Sequence, residues 1–168
     1  MNTKNIQIRS AIATDSLEIF QLIQALAQYE NLDVTGSVTN LEMDLFGDCP
    51  QAEVLVAEDL ALKRLAGFAL FFGNYSTFLT RPGLHLEDLF VLPQYRGQGI
   101  GKSLIAAVAQ VAIARNCGRL EWSVLDWNDL AVSFYQNLGA EVLPDWRICR
   151  ITGINLTNLA QSLPRLAD

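Results

Sequence analysis

The stretch Arg96-Gly97-Gln98-Gly99-Ile100-Gly101-Lys102 constrains this chain more than any other. It joins an apolar run, Leu89-Phe90-Val91-Leu92, to a segment from about Gly99 to Arg115 in which Ile100, Leu104, Val108 and Ala112 recur on one helical face. The spacing predicts a strand, a tight turn and a helix. Glycines at alternate positions let the backbone approach a ligand closely, and the helix they open begins with unpaired amides at the positive end of its dipole. Both features favour an anion. Arg96 adds a donor suited to forked contacts and Lys102 one suited to a point-charge contact. The expected guest is a pyrophosphate.

Two familiar phosphate motifs are excluded by counting. A Walker A loop ends in Gly-Lys-Ser, which Gly101-Lys102-Ser103 supplies, but its first glycine falls at position 96, where the chain has Arg96. A dinucleotide fingerprint, G-x-G-x-x-G, run from Gly97 and Gly99 requires glycine at Lys102.

What remains, Arg-Gly-x-Gly-Ile-Gly after Leu86-Glu87-Asp88-Leu89-Phe90-Val91, resembles the acetyl-CoA loop of the GNAT superfamily of N-acetyltransferases. Ile8-Arg9 with Thr14 and Asp15 resembles the first strand and helix of that family. Asp126-Trp127-Asn128, Ser133-Phe134-Tyr135 and Leu138-Gly139-Ala140 resemble its last conserved segment. Within the superfamily the diamine and thialysine acetyltransferases are most similar, through Ala27-Gln28-Tyr29-Glu30, Leu86-Glu87-Asp88, Trp127-Asn128 and Trp146-Arg147. The resemblance covers roughly residues 6 to 152. It implies an α+β fold of three layers (α/β/α), with a mixed, mostly antiparallel sheet of about seven strands flanked by helices, and acetyl-CoA as cosubstrate.

Local patterns agree with one domain over residues 1–168, a length and a 51% hydrophobic content sufficient for a core. A strand at 6–10 precedes a helix from Asp15 to Tyr29 that Thr14 is placed to cap. A short helix near Asn40 to Phe46 leads to two strands, Ala52 to Ala57 and Leu65 to Phe72, expected to form an antiparallel hairpin. Gly73 to Gly83 reads as a loop. Arg119 to Val124 is the next strand, Asn128 caps a helix ending near Gly139, and two short strands around Val142 and Ile148 are expected to finish the sheet.

The net charge of −6, with the 12 Lys and Arg scattered, argues against nucleic acid or an anionic membrane as partner and suits a cationic substrate. Cys49, Cys117 and Cys149 lack C-x-x-C spacing, so reduced core thiols are expected, with neither a disulfide framework nor a metal site. The sequence shows no signal-type apolar run and no stretch of the roughly 20 apolar residues needed to span a bilayer, which suggests the cytoplasm.

Acetylation of an amine begins with a protonation problem. An alkyl ammonium with a pKa near 10.4 cannot attack a thioester, and freeing its lone pair at pH 7 costs roughly 4.6 kcal/mol. A carboxylate can hold the ammonium and take its proton, directly or through water. The resemblance favours Glu87 as the substrate-facing base; the alternative is that Glu87 and Asp88 pair with basic side chains or cap a loop. Adjacent strand residues face opposite ways, so both acids reach one amine only if a bulge intervenes. Tyr135 is the candidate general acid for the departing CoA thiolate, the alternative being a core aromatic. The resemblance places the backbone of Leu89, Phe90 and Val91 on the pantetheine and acetyl carbonyl, and Asn128 on the CoA arm. Tyr29 and Glu30 are expected over the amine, while Trp122 faces either pocket or core. His85 is assigned no role.

The loop Ser76-Thr77-Phe78-Leu79-Thr80-Arg81 lacks the acidic and Trp residues that suit a long polycation. The expected substrate is a primary amine of a small molecule, a diamine, a polyamine or a lysine-like amino acid, and this loop favours a small amine with a nearby carboxylate, such as a lysine-like amino acid, over a spermidine-like one. A protein or peptide amine acetyltransferase and a noncatalytic acyl-CoA-binding sensor are the rival readings. The resemblance also implies a homodimer, with Trp146 to Thr152 at its interface.

Overall fold

The structure, a computed structural model, describes residues 5–162. Those residues form two compact units, divided between Leu125 and Asp126. The first contains β1 (Ile6–Ser10), α1 (Ser16–Glu30), α2 (Val38–Phe46), β2 (Glu53–Asp59), β3 (Arg64–Ser76), β4 (Arg81–Val91), α3 (Ile100–Ala114) and β5 (Leu120–Trp122). The second contains α4 (Asp129–Asn137) and α5 (Gly153–Gln161).

The strands lie in sequence order, β1 to β4 antiparallel and β5 parallel to β4. The sheet has five strands among the described residues, against about seven expected. Residues around Val142 and Ile148 are not strands. They are exposed and pair with no neighbouring strand, and an extended segment without a partner gains no ladder. The expected β2–β3 hairpin is present. The expected loop over 73–83 is instead mostly hairpin: β3 runs to Ser76, which pairs with Arg81, and the turn between them is closed by Leu79 N donating to Ser76 Oγ at 3.2 Å.

Alternation divides the sheet into two apolar faces. Val54, Val56, Phe68 and Phe90 pack with Ile19, Leu22 and Leu45 of α1 and α2. On the other face Ala69, Phe71, Leu84 and Leu86 are buried against the side of α3 that carries Leu104 and Val108. Thr14 does not cap α1. The chain enters that helix through a single 3₁₀ turn, Ala13–Asp15, whose Asp15 carboxylate accepts from Ile12 N at 2.9 Å and is gripped by Arg9 through two hydrogen bonds of 2.6 and 3.0 Å. Arg9 also donates to Glu58 at 2.6 Å, tying β1, β2 and the start of α1 together. The cysteines are free but are not core thiols: Cys49 and Cys149 are exposed and Cys117 is half-buried, each lying outside the helices and strands.

Candidate active site

The glycine turn is anchored from below. Pro93–Tyr95 forms one 3₁₀ turn after β4, and the buried Tyr95 hydroxyl donates to Asp59 at 2.9 Å. Asp59 in turn accepts from the amides of Ala61 and Leu62, so the turn between β2 and β3 and the turn after β4 share one carboxylate. This Asp59–Tyr95 bond had no sequence signal, because the partners are 36 residues apart.

Gly97 and Gly99 both adopt left-handed backbone, with φ of 75° and 79°. Gly99 is the N-cap of α3, and Ser103 N donates to Gly99 O at 2.9 Å, so the amides of Ile100, Gly101 and Lys102 come before the helical ladder begins. A Cβ added at Gly97 or Gly99 would meet no protein atom within 4 Å. Glycine is required there by backbone conformation, and the open space around the turn suits a ligand that approaches the main chain. Lys102 is exposed on the first turn of α3.

Arg96, expected to offer a forked contact to phosphate, also makes contacts within the protein. Its Nε donates to Val91 O at 2.9 Å, and its guanidinium lies 5.0 Å from the ring centre of Tyr29 and 5.5 Å from that of Phe90. The side chain thus straps the glycine turn to the end of α1.

The acids are arranged by a bulge. Leu70 pairs with Asp88 and Phe71 with Leu86, so Glu87 is the extra residue in β4. Before it, Leu84 and Leu86 point to the α3 face; after it, Asp88 and Phe90 point to the α1 face. Glu87 lies within 3.7 Å of His85, whose ring stacks on Phe72 on that same α1 face. Both carboxylates therefore serve one side of the sheet, joined by Glu30 at the end of α1. The Asp88 carboxyl is pushed up to about 6 by burial first, then by the charges of Glu87 and Glu30. Burial also raises Glu30. Glu87 is more exposed, with 53% of its side chain accessible. Beside these acids the sheet opens. β5 pairs with β4 only over Leu84 to Leu86, and among the described residues no strand covers the same edge of β4 from Glu87 to Val91.

An Acetyltransferase (GNAT) family model matches residues 22–140. The chain belongs to that family. It is 39% identical over 166 residues to a thialysine N-epsilon-acetyltransferase from Bos taurus, covering 92% of this chain and 97% of the bovine one. It is 42% identical over 121 residues to an L-ornithine N5-acetyltransferase from Arabidopsis thaliana, a match that takes in 72% of this chain and about half, 53%, of the plant protein. Among solved structures, an integron cassette protein from V. cholerae superposes with a TM-score of 0.78 at 27% identity, covering 94% of this chain and 98% of the other. A GNAT acetyltransferase uses acetyl-CoA as cosubstrate and transfers its acetyl group to an amine.

Within this GNAT chain, the first unit brings together Tyr29, Glu30, Glu87, Asp88, Phe90 and Arg96. Leu89, Phe90 and Val91 form the uncovered edge of β4, and Arg96 to Lys102 the turn beyond it. Trp122 is not with the acids. It stands in register with Leu86, on the α3 face of the sheet, because parallel partners share a face. Asn128 and Tyr135 belong to the second unit. Asn128 Oδ1 accepts from Ala131 N at 3.2 Å and caps α4, as its position before that helix predicts. Tyr135 is half-buried in α4, its ring 5.2 Å from that of Phe134. Among the described residues no cluster of His, Cys, Asp and Glu could hold a metal.

Proposed function

We propose that this acetyltransferase acts on the side-chain amine of a small diamine or of a lysine- or ornithine-like amino acid, by direct attack on acetyl-CoA in a ternary complex. The observation that carries the reading is the bulge at Glu87, which turns two carboxylates toward Glu30 beside the uncovered edge of β4. An ammonium arriving there meets three acids. Asp88, raised to about 6, is ionised at neutral pH and titrates near enough to it to accept the amine's proton, so the base role expected of Glu87 passes to Asp88. Glu87 then steers the cation and passes the proton outward through water. Glu30 and Tyr29 line the amine end of the site.

Tyr135 is the general acid for the departing thiolate. The early amides of α3, with Gly97 to Lys102, hold the pyrophosphate, the edge from Leu89 to Val91 holds the pantetheine and acetyl carbonyl, and Asn128 contacts the CoA arm. The family match runs through residues of both units, which supports one functional domain over 1–168. A cytoplasmic homodimer completes the proposal, supported by the free cysteines and by Trp146, Ile148 and Ile151, apolar and exposed. Light scattering that gives a concentration-independent monomer removes the dimer.

The test of the function is thiol release from acetyl-CoA over a panel of lysine, thialysine, ornithine, simple diamines, spermidine and a lysine-containing peptide. Turnover on the short free amines is expected. Turnover on the peptide alone, or tight CoA binding without turnover, rejects the reading.

A further inference from the structure

Further along the α1 side of the sheet, β3, β5 and Arg119, the residue that leads into β5, carry a second polar cluster. Asn74 Nδ2 donates to Glu121 Oε1, and Arg119 Nη2 lies 2.8 Å from the same oxygen. Register sets Glu121 beside His85 and Asn74 beside Gly83, where the absence of a side chain leaves room for Asn74 and Arg119 to cross. Asn74 Oδ1 and Arg119 Nε are buried and make no hydrogen bond. Stability does not explain this arrangement: an exposed ion pair contributes little, and buried polar atoms without partners cost free energy. The charged groups are nevertheless open to a solute, since the Arg119 and Glu121 side chains are 36% and 39% accessible.

The cluster lies at a definite reach from the acids. His85, level with Glu121, precedes Asp88 by three residues, one of them the bulge, so about two strand steps, or about 7 Å, separate the two rows. An extended lysine side chain covers that span. Resting on the proposed function, which puts the reacting amine at Asp88, we propose that Arg119 and Glu121 hold the zwitterionic end of an amino-acid substrate. Arg119 takes the α-carboxylate through a donor not used on Glu121. Glu121 takes the α-ammonium through Oε2, and Asn74 fixes the orientation of Glu121. The pair therefore selects amino acids over diamines of equal length.

The test compares kcat/KM for lysine and for 1,5-diaminopentane, which has the same reach without the carboxylate, in the wild type, Arg119→Gln and Arg119→Lys. The lysine-to-diamine ratio is expected to fall about 10-fold or more in Arg119→Gln, carried by KM, the scale of one lost charge-assisted hydrogen bond. Arg119→Lys should recover part of the ratio. Glu121→Gln should lower kcat/KM for both compounds, because both bring a second ammonium. An unchanged ratio in Arg119→Gln with wild-type melting behaviour overturns the inference, as does wild-type turnover of the diamine but of no amino acid. Either result leaves the acetyltransferase reading standing, whereas no turnover on any free amine overturns both.

Discussion

Asp88 should destabilise the protein it serves. Its carboxyl is displaced from an ordinary 3.8 to about 6 by burial and by the charges of Glu87 and Glu30. About two pH units correspond to about 3 kcal/mol of preference for the neutral form in the folded state. Because the folded pKa lies above the unfolded one, the native state binds the extra proton between pH 4 and 6. The contribution of Asp88 to stability is therefore most favourable below pH 4, falls as pH rises through about 6, and stays unfavourable above it. Asp88→Asn removes the charge while keeping the shape. The variant should match the wild type near pH 4 and exceed it at pH 8 by up to about 3 kcal/mol in urea unfolding. The same substitution should lower kcat/KM by about 10² or more, since the amide cannot take the amine's proton. In the wild type kcat/KM should rise through about pH 6, and Glu87→Gln should move that limb to lower pH by removing one of the charges that raise Asp88. A variant no more stable than the wild type at pH 8, or a stability difference independent of pH, refutes a desolvated, charge-crowded Asp88.

Three further outcomes are expected. Tyr135→Phe should reduce turnover about 10²-fold and leave CoA affinity intact, and unaltered turnover in steady-state assays would return the residue to a packing role. Gly99→Val should weaken CoA binding in calorimetry while the domain still folds, because valine resists the left-handed φ of 79° that aims the first amides of α3. Arg96→Ala strips the cation from the faces of Tyr29 and Phe90 and the donor from Val91 O. It should raise the amine KM several-fold, a cation–π contact being about 0.5–1 kcal/mol, with Arg96→Lys intermediate; an effect confined to CoA affinity would reject the strap.

The features readable along the chain were those set by near neighbours. Apolar periodicity marked α3, glycines at alternate positions marked the turn before it, and Asn128 marked the start of α4, because each depends on interactions within a few residues. Val142 and Ile148 looked like strands by the same local standard, but a strand exists only through its partner, and the described chain supplies none. The turn over 73–83 failed in the opposite sense, since pairing of Ser76 with Arg81 overrides local loop chemistry.

The chemistry of the site divides in the same way. The amino-acid sequence by itself determined the glycine turn before α3, the presence of Glu87 and Asp88 ahead of an apolar run, and the family, all carried by residue identity at short spacing. Only the tertiary structure decided which way those acids face, because the bulge is a mismatch between β4 and its hairpin partner β3 that exists only once the two strands pair. It likewise decided that Trp122 looks away from them, that Arg96 lies over Tyr29, and that Arg119, Glu121 and Asn74 meet. A carboxylate's basicity and a cation's partner are properties of what surrounds them in space, and those surroundings form only when the sheet does.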